Sequence, residues 1–211
     1  MLARKVVTRR GRHIRGYFPS TKLRRMVAWE SMLERDAVLL LEMSPGIVRY
    51  QEQPARIVYA DGLRTREYFP DFELTLEDGQ LVHLEIKESS ELAKPSIAAK
   101  YGSIAAHYRR EARSFRIATE LEIRREPLFG NLKRLASLHA HPWHERPTAG
   151  QLRQLFRDHS VTFAACEAKF GYATTLRLIA AGTVLCNLDL PLTADALLQL
   201  PQGGCNATIL L

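Results

Sequence analysis

The sequence predicts an α/β fold, with a mixed sheet flanked by helices and a small helical module after it. Three observations lead there. An apolar stripe with helical spacing comes early, four short strand-type segments follow with two Asp-Gly dipeptides among them, and helical patterning resumes after a proline-rich break. A chain of 211 residues has room for one ordinary domain and a small second one. Its 46% hydrophobic and 25% charged residues place it with folded soluble proteins rather than disordered or membrane-embedded ones.

Residues 1–21 read as a flexible basic arm. Arg4, Lys5, Arg9, Arg10, Arg12, Arg15, Lys22, Arg24 and Arg25 precede the first acid, Glu30. Those nine cations exceed the net charge of +7, so the remainder of the chain sums to −2. A cationic segment containing Gly11, Gly16 and Pro19 is suited to lie along phosphates and release counterions. Arg9, Arg10, Arg12, Arg15, Lys22, Arg24 and Arg25 are therefore the expected DNA contacts.

From Lys22 to Met43 the pattern is helical, with Trp29, Met32, Leu33, Val38, Leu39 and Leu41 on the apolar stripe and Pro45–Gly46 as the stop. Strands are expected at Ile47–Glu52, Arg56–Tyr59, Glu67–Leu76 and Leu81–Lys87, with hairpin turns at Asp61–Gly62 and Asp78–Gly79. A helix over Lys94–Arg113, a strand over Ser114–Ala118 and a helix over Asn131–His139 complete a domain of residues 22–141. Pro142 and Pro147 mark the boundary. In the module at 148–211, Thr148 caps a helix to about His159. A single helix is expected over Phe163–Ala181, ended by Gly182, then a strand over Thr183–Leu190 and a last helix capped by Thr193. Helix, helix and hairpin suggest a winged-helix-like unit.

No apolar run approaches the roughly 18 residues of a membrane span, and the basic N-terminus leads into no apolar stretch of the signal-peptide kind. Three scattered cysteines fit a reducing compartment. A cytoplasmic protein without membrane contact is expected.

The candidate chemistry lies in Phe69-Pro70-Asp71-Phe72 and Leu84-Glu85-Ile86-Lys87. Side chains alternate along a strand, so Glu85 and Lys87 share a face and Ile86 points to the core. The hairpin turning at Asp78–Gly79 brings Asp71 alongside Glu85. Carboxylates on one face are the oxygen ligands a hard divalent cation selects, and such a cation serves phosphodiester hydrolysis. Upstream, Glu30 and Glu34 stand one helical turn apart, and spacing leaves either able to add a carboxylate. His83 is read as structural, facing with Ile86 rather than Glu85.

These motifs resemble the PD-(D/E)xK nucleases and, within them, the TnsA-like family of transposition endonucleases. The resemblance also rests on Ser31-Met32-Leu33-Glu34, on Leu39-Leu40-Leu41-Glu42 and on Val48-Arg49-Tyr50-Gln51-Glu52-Gln53-Pro54, and covers about residues 20–120. It implies a restriction-endonuclease-like core in which Glu34, Asp71, Glu85 and Lys87 are catalytic. Glu34, Asp71, Glu85 and the Ile86 backbone carbonyl would bind Mg²⁺, with Mn²⁺ as a substitute, and Lys87 would orient water or stabilise charge. The best-known member carries glutamine where this chain has Glu85; the wider superfamily more often has an acid there. Gln53 belongs to the recognition pattern without an evident catalytic task.

The same resemblance implies an endonuclease that cuts one strand, at the 5′ ends, of double-stranded transposon-end DNA. Its partners would be an integrase-type transposase and an ATPase regulator, in a bacterial, nucleoid-associated setting. Two rivals are a free-standing repair, restriction or phage nuclease, which cuts without a partner, and a non-cleaving DNA-binding adaptor, which has no use for the four-residue set.

Overall fold

The computed structural model describes residues 14–139, 143, 146–157, 159–201 and 210–211. Arg9, Arg10 and Arg12 lie outside the described residues, as does most of the expected arm. The chain forms two compact units, one of residues 1–123 with 207–211 and one of residues 124–206.

The first unit opens with a hairpin of β1 (Gly16–Ser20) and β2 (Arg25–Trp29), where helix and arm were expected. Residue chemistry explains the difference. Gly16 pairs with Trp29, and a Cβ on Gly16 would stand 2.4 Å from the Trp29 ring. The turn is gathered by one buried carboxylate: Glu42 accepts from the Ser20 hydroxyl at 2.7 Å, the Thr21 and Lys22 amides at 2.8 Å each, and the Tyr50 hydroxyl at 2.7 Å. The Lys22 ammonium donates to the carbonyls of Leu41, Ser44 and Ile47. It satisfies the open C-terminal end of the following helix, which has no basic residue in its last turn.

That helix, α1 (Met32–Met43), begins ten residues later than the apolar periodicity suggested. Ser31 caps it by accepting from the Glu34 amide, and Leu33, Ala37, Val38, Leu40 and Leu41 form its buried stripe. Burying each larger aliphatic side chain contributes about 1.5–3 kcal/mol.

Next come β3 (Ile47–Glu52), β4 (Ile57–Asp61), β5 (Arg64–Tyr68), β6 (Phe72–Leu76) and β7 (Leu81–Ile86). The expected single strand over Glu67–Leu76 is two, because Pro70 has no amide to continue a ladder. Its first half pairs with β4 in a separate hairpin, and its second half joins the main sheet. After α2 (Ser89–Leu92) and α3 (Pro95–Arg110), β8 (Ser114–Ala118) lies parallel to β7, and α4 (Glu120–Ile123) closes the unit. The sheet order is β3-β6-β7-β8, antiparallel except for the last pair, so the sheet is mixed. The buried α3 residues Tyr101, Ile104 and Tyr108 pack with Ile57, Tyr59 and Tyr68 of the β4–β5 hairpin. Leu210 and Leu211 rejoin this unit, where the Leu210 amide donates to Ser44 Oγ and Arg116 donates to the Leu211 carbonyl.

The second unit contains α5 (Leu128–His139), α6 (Ala149–Phe156), β9 (Val161–Thr162), α7 (Phe163–Phe170), α8 (Tyr172–Ala180) and β10 (Leu197–Leu198). It starts at Arg124, ahead of the boundary expected at 141–148. The cause is α5, which packs on α8 and whose Asn131 amide donates to the carbonyls of Leu188 and Leu190. Thr148 makes the expected cap, a reciprocal capping box with Gln151. The helix expected over Phe163–Ala181 is broken at Gly171, whose φ of 84° leaves the helical region. Residues 183–190 form turns with one bridge, Leu185 to Gln199, rather than a strand, and among the described residues no helix follows Thr193. Among the described residues no helix is long and apolar enough to cross a membrane.

The Glu42 network yields a stability prediction. Glu42→Ala leaves several buried donors without an acceptor and is expected to cost about 1–3 kcal/mol. Urea unfolding measures it, and an unchanged midpoint would show that the hairpin does not depend on this carboxylate.

Candidate active site

Asp71 precedes β6, and Phe72 pairs with Leu84, so the same register sets Asp71 across from Glu85. The Asp71 backbone carbonyl accepts from the Gln53 amide at 2.8 Å, and its Oδ2 accepts from the Ile86 amide at 2.7 Å. The antiparallel pairing expected from the Asp78–Gly79 turn is therefore present, with Gly79 at φ 83°. The Lys87 amide is tied to the Ala118 carbonyl, which fixes the backbone just beyond β7.

Glu85 is buried and held through both oxygens. The Tyr68 hydroxyl donates to Oε2 at 2.5 Å, and the Tyr101 hydroxyl donates to Oε1. Sequence reasoning identified neither tyrosine as a partner of Glu85. Tyr101 carried a legible signal, since Tyr101, Ile104 and Tyr108 recur at the spacing of a buried helix face. Lys100 also approaches, with Nζ 5.1 Å from the Tyr101 ring centre and 5.8 Å from that of Tyr68.

An open cleft of about 230 Å³ brings these groups together. Asp71, Glu85, Lys87, Gln53, Glu30 and Lys100 are among its lining residues. Glu34 is absent from the lining; its Oε2 accepts from the Glu30 amide at 2.7 Å. Of the two acids that spacing left open, Glu30 faces the cleft and Glu34 supports the turn beside it. The Glu34 charge still reaches the site, because it raises the carboxyl of Asp71.

All three expected carboxyls are pushed above the ordinary carboxylate range, first by burial. For Asp71, the charges of Glu85 and Glu34 add to that, while the Ile86 amide and Lys87 oppose it. For Glu85, the Tyr101 and Tyr68 hydroxyls and then Lys87 oppose burial. For Glu34, hydrogen bonds from the Glu30 amide and from Ser31 oppose burial and the Glu30 charge. Adjacent acids short of positive charge are the environment that a divalent cation relieves.

Among the described residues no three His, Cys, Asp or Glu side chains are grouped so as to hold a metal ion by themselves. Asp71 and Glu85 remain, and one or two carboxylates completed by water and phosphate oxygens is the usual magnesium arrangement. The residues present fit such an ion.

His83 corrects the expected facing. Glu85 and His83 are two positions apart, so both point toward α3. His83 Nδ1 lies 2.5 Å from the Tyr108 hydroxyl and Nε2 lies 3.0 Å from Glu73 Oε2. Burial lowers its pKa, which favours the neutral ring, with Nε2–H donating to Glu73 and Nδ1 accepting from Tyr108. Its structural assignment stands on these contacts.

The residues expected on DNA divide. Lys22 is engaged with three carbonyls, and Arg25 makes a bidentate pair with buried Glu52 at 2.6 Å to each oxygen. Arg15 Nη2 lies 3.6 Å from Glu30 Oε1, and Arg24 is exposed at the hairpin turn.

The first unit is thus an α/β domain whose paired strands bring two carboxylates and a lysine to one cleft, the outline of a nuclease core. Residues 44–120 match the family described as TnsA-like endonuclease N terminal, so this segment is similar to the TnsA-like endonucleases. The match spans Asp71, Glu85 and Lys87 and begins after Glu34. A comparison with curated proteins finds no match.

The carboxyl cluster makes a signed prediction. A carboxyl raised in the fold binds protons more tightly than in the unfolded chain, so the stability it contributes is present below the unfolded pKa and lost as pH rises through the folded one. Asp71→Asn removes that loss and can still accept from the Ile86 amide. Melted without divalent ions, the variant should exceed the wild type at pH 7, with the gap closing toward pH 4. An Asn variant less stable at pH 7 contradicts the electrostatic account.

Proposed function

We propose that this chain is the metal-dependent endonuclease subunit of a heteromeric transposase, hydrolysing one strand, at the 5′ ends, of transposon-end DNA. The observation that carries the reading is the meeting of Asp71, Glu85 and Lys87 in one cleft inside the TnsA-like segment. An adaptor without cleavage activity has no need of buried acids that strain the fold.

Asp71 and Glu85 are the residues that hold Mg²⁺, with Mn²⁺ as a substitute and the Ile86 carbonyl as a further ligand. When bound, the ion lowers the pKa of a water and offsets charge on the scissile phosphate. Tyr68 and Tyr101 fix the Glu85 carboxylate in one orientation. Lys87 meets the phosphate or orients the water, and Glu34 stiffens the Glu30 turn and adds negative charge behind Asp71. Arg9, Arg10, Arg12, Arg15 and Arg24 contact the DNA backbone, while Lys22 and Arg25 hold the fold that presents them. The C-terminal unit serves as a winged-helix-like docking module for an integrase-type transposase, with an ATPase regulator in the larger assembly and the bacterial nucleoid as the setting.

Two experiments test this. Labelled transposon-end DNA with Mg²⁺ should be cut poorly by the chain alone and efficiently once the transposase partner is added. Asp71→Ala should abolish that cutting by at least about 100-fold, the scale of losing a preorganised electrostatic group. Efficient sequence-specific cleavage by the isolated chain favours a free-standing nuclease. Deleting residues 1–13, which leaves β1 intact, should flatten the salt dependence of DNA binding by roughly one unit per lost phosphate contact; an unchanged slope removes the arm from the interface.

A further inference from the structure

Gln53 is the feature of the cleft that neither the fold nor the four-residue set explains. It follows β3 with φ 39°, in the left-handed region that a residue with a long side chain seldom occupies. Backbone outliers of this kind cluster at functional sites, where surrounding structure holds them in place. The Gln53 amide donates to the Asp71 carbonyl, and the side-chain Nε2 donates to Glu30 Oε2 at 3.3 Å, which fixes the orientation of the side-chain amide. The residue is only 7% exposed and lines the carboxylate cleft, yet its Oε1 is buried without a hydrogen-bond partner.

A buried acceptor without a donor is costly and calls for a specific explanation. The chemistry of its missing partner is constrained. Asp71 and Glu85, when ionised, are acceptors only, and so is a DNA phosphate diester. The donor must carry N–H or O–H. Lys87 and Lys100 supply the cationic donors lining the cleft, and in the proposed reaction their task is the phosphate. Oε1 is shut off from bulk solvent, so a water donor has to be one ordered within the site.

We infer that Gln53 is a positioning residue, accepting through Oε1 a hydrogen bond from the water that attacks the phosphodiester. The strained backbone, tied to the Asp71 carbonyl, holds Gln53 on the cleft that Asp71 also lines, and the bond to Glu30 prevents the amide from turning its NH₂ group to the water. This role rests on the nuclease reading above.

Two substitutions separate positioning from packing. Gln53→Leu removes the acceptor at similar volume, whereas Gln53→Glu keeps an acceptor oxygen but loses the N–H to Glu30 and adds a like charge. Mn²⁺ uptake by the full chain is measured without DNA by electron paramagnetic resonance, alongside melting temperature and single-turnover cleavage with the transposase partner. Gln53→Leu should weaken Mn²⁺ binding and slow cleavage, each by about 10- to 100-fold, at unchanged KM and near-native melting. Gln53→Glu should melt lower yet hold Mn²⁺ at least as well as the wild type. Should Gln53→Leu not fold, Gln53→Met makes the same comparison with an unbranched side chain. Native Mn²⁺ affinity in the apolar variant, or equal loss in both, overturns the assignment. If the variants show this Mn²⁺ pattern but the wild-type chain cuts no DNA, the nuclease reading fails and Gln53 is left holding a water at the metal site rather than an attacking one. A wild-type chain that takes up no Mn²⁺ sinks both.

Discussion

The structure of the first unit turns on holding Asp71 and Glu85 together at the end of a buried strand pair. Two acids there disfavour each other's ionisation, and burial disfavours both. Their surroundings compensate in part, with the Ile86 amide on Asp71, two phenol hydroxyls on Glu85, and Lys87 close by. That requirement accounts for otherwise separate features. The β4–β5 hairpin supplies Tyr68, α3 supplies Tyr101, and their aromatic cluster keeps both hydroxyls aimed inward. The parallel pairing of β7 with β8 fixes the backbone on which Glu85 and Lys87 stand.

A comparison inside the same unit shows what separates a structural acid from a functional one. Glu42 and Glu52 are as buried as Glu85. Glu42 gathers donors from the turn of the N-terminal hairpin and from Tyr50, and Glu52 takes the bidentate grip of Arg25 and lies 3.4 Å from the Ala28 amide. Their charge is answered within the fold, and each works as a staple. Asp71 and Glu85 instead face a cleft, where the charge of Glu85, with that of Glu34 behind, raises the Asp71 carboxyl. Folding alone does not require such an arrangement. In the proposed function its use is to attract positive charge that the chain does not itself supply.

The sequence made the strands and their order of use legible, because Asp-Gly turns and alternating apolar residues act locally. Ile47–Glu52 and Ser114–Ala118 appear where the pattern put them. Pairing between distant strands was less legible. The run Glu67–Leu76 looks continuous, and only the missing amide of Pro70 reveals two strands in different sheets. Lys22–Trp29 reads as helical by periodicity, yet Glu42, some twenty residues away, organises it as a hairpin. Around the site, Asp71, Glu85 and Lys87 were readable because strand alternation and one hairpin relate them. The spacing of Tyr101 marks a buried helix face, but its bond to Glu85 and the unpartnered oxygen of Gln53 were not readable, since they depend on a helix packed on the sheet and on a backbone angle that no composition encodes.

In the proposed function, charge placement gives a reason for the enzyme to depend on a partner. A nuclease that seizes DNA unaided needs cations available to phosphate. In this unit many of the cations are already matched: Arg25 with Glu52, Arg35 with Asp36, Arg56 with Glu67, Arg66 with Asp61 and Arg116 with Glu122, while Lys22 sits among carbonyls. Exposed pairs such as Arg56–Glu67 can exchange a carboxylate for a phosphate, but each exchange returns little, because it gives up one ion pair to make another. Lys87 and Lys100 at the cleft suit a phosphate already delivered rather than one still to be captured. In the proposed function, delivery falls to the basic N-terminal segment and to the partner transposase. The cleft can then stay acidic enough to hold a metal ion without having to attract the DNA as well.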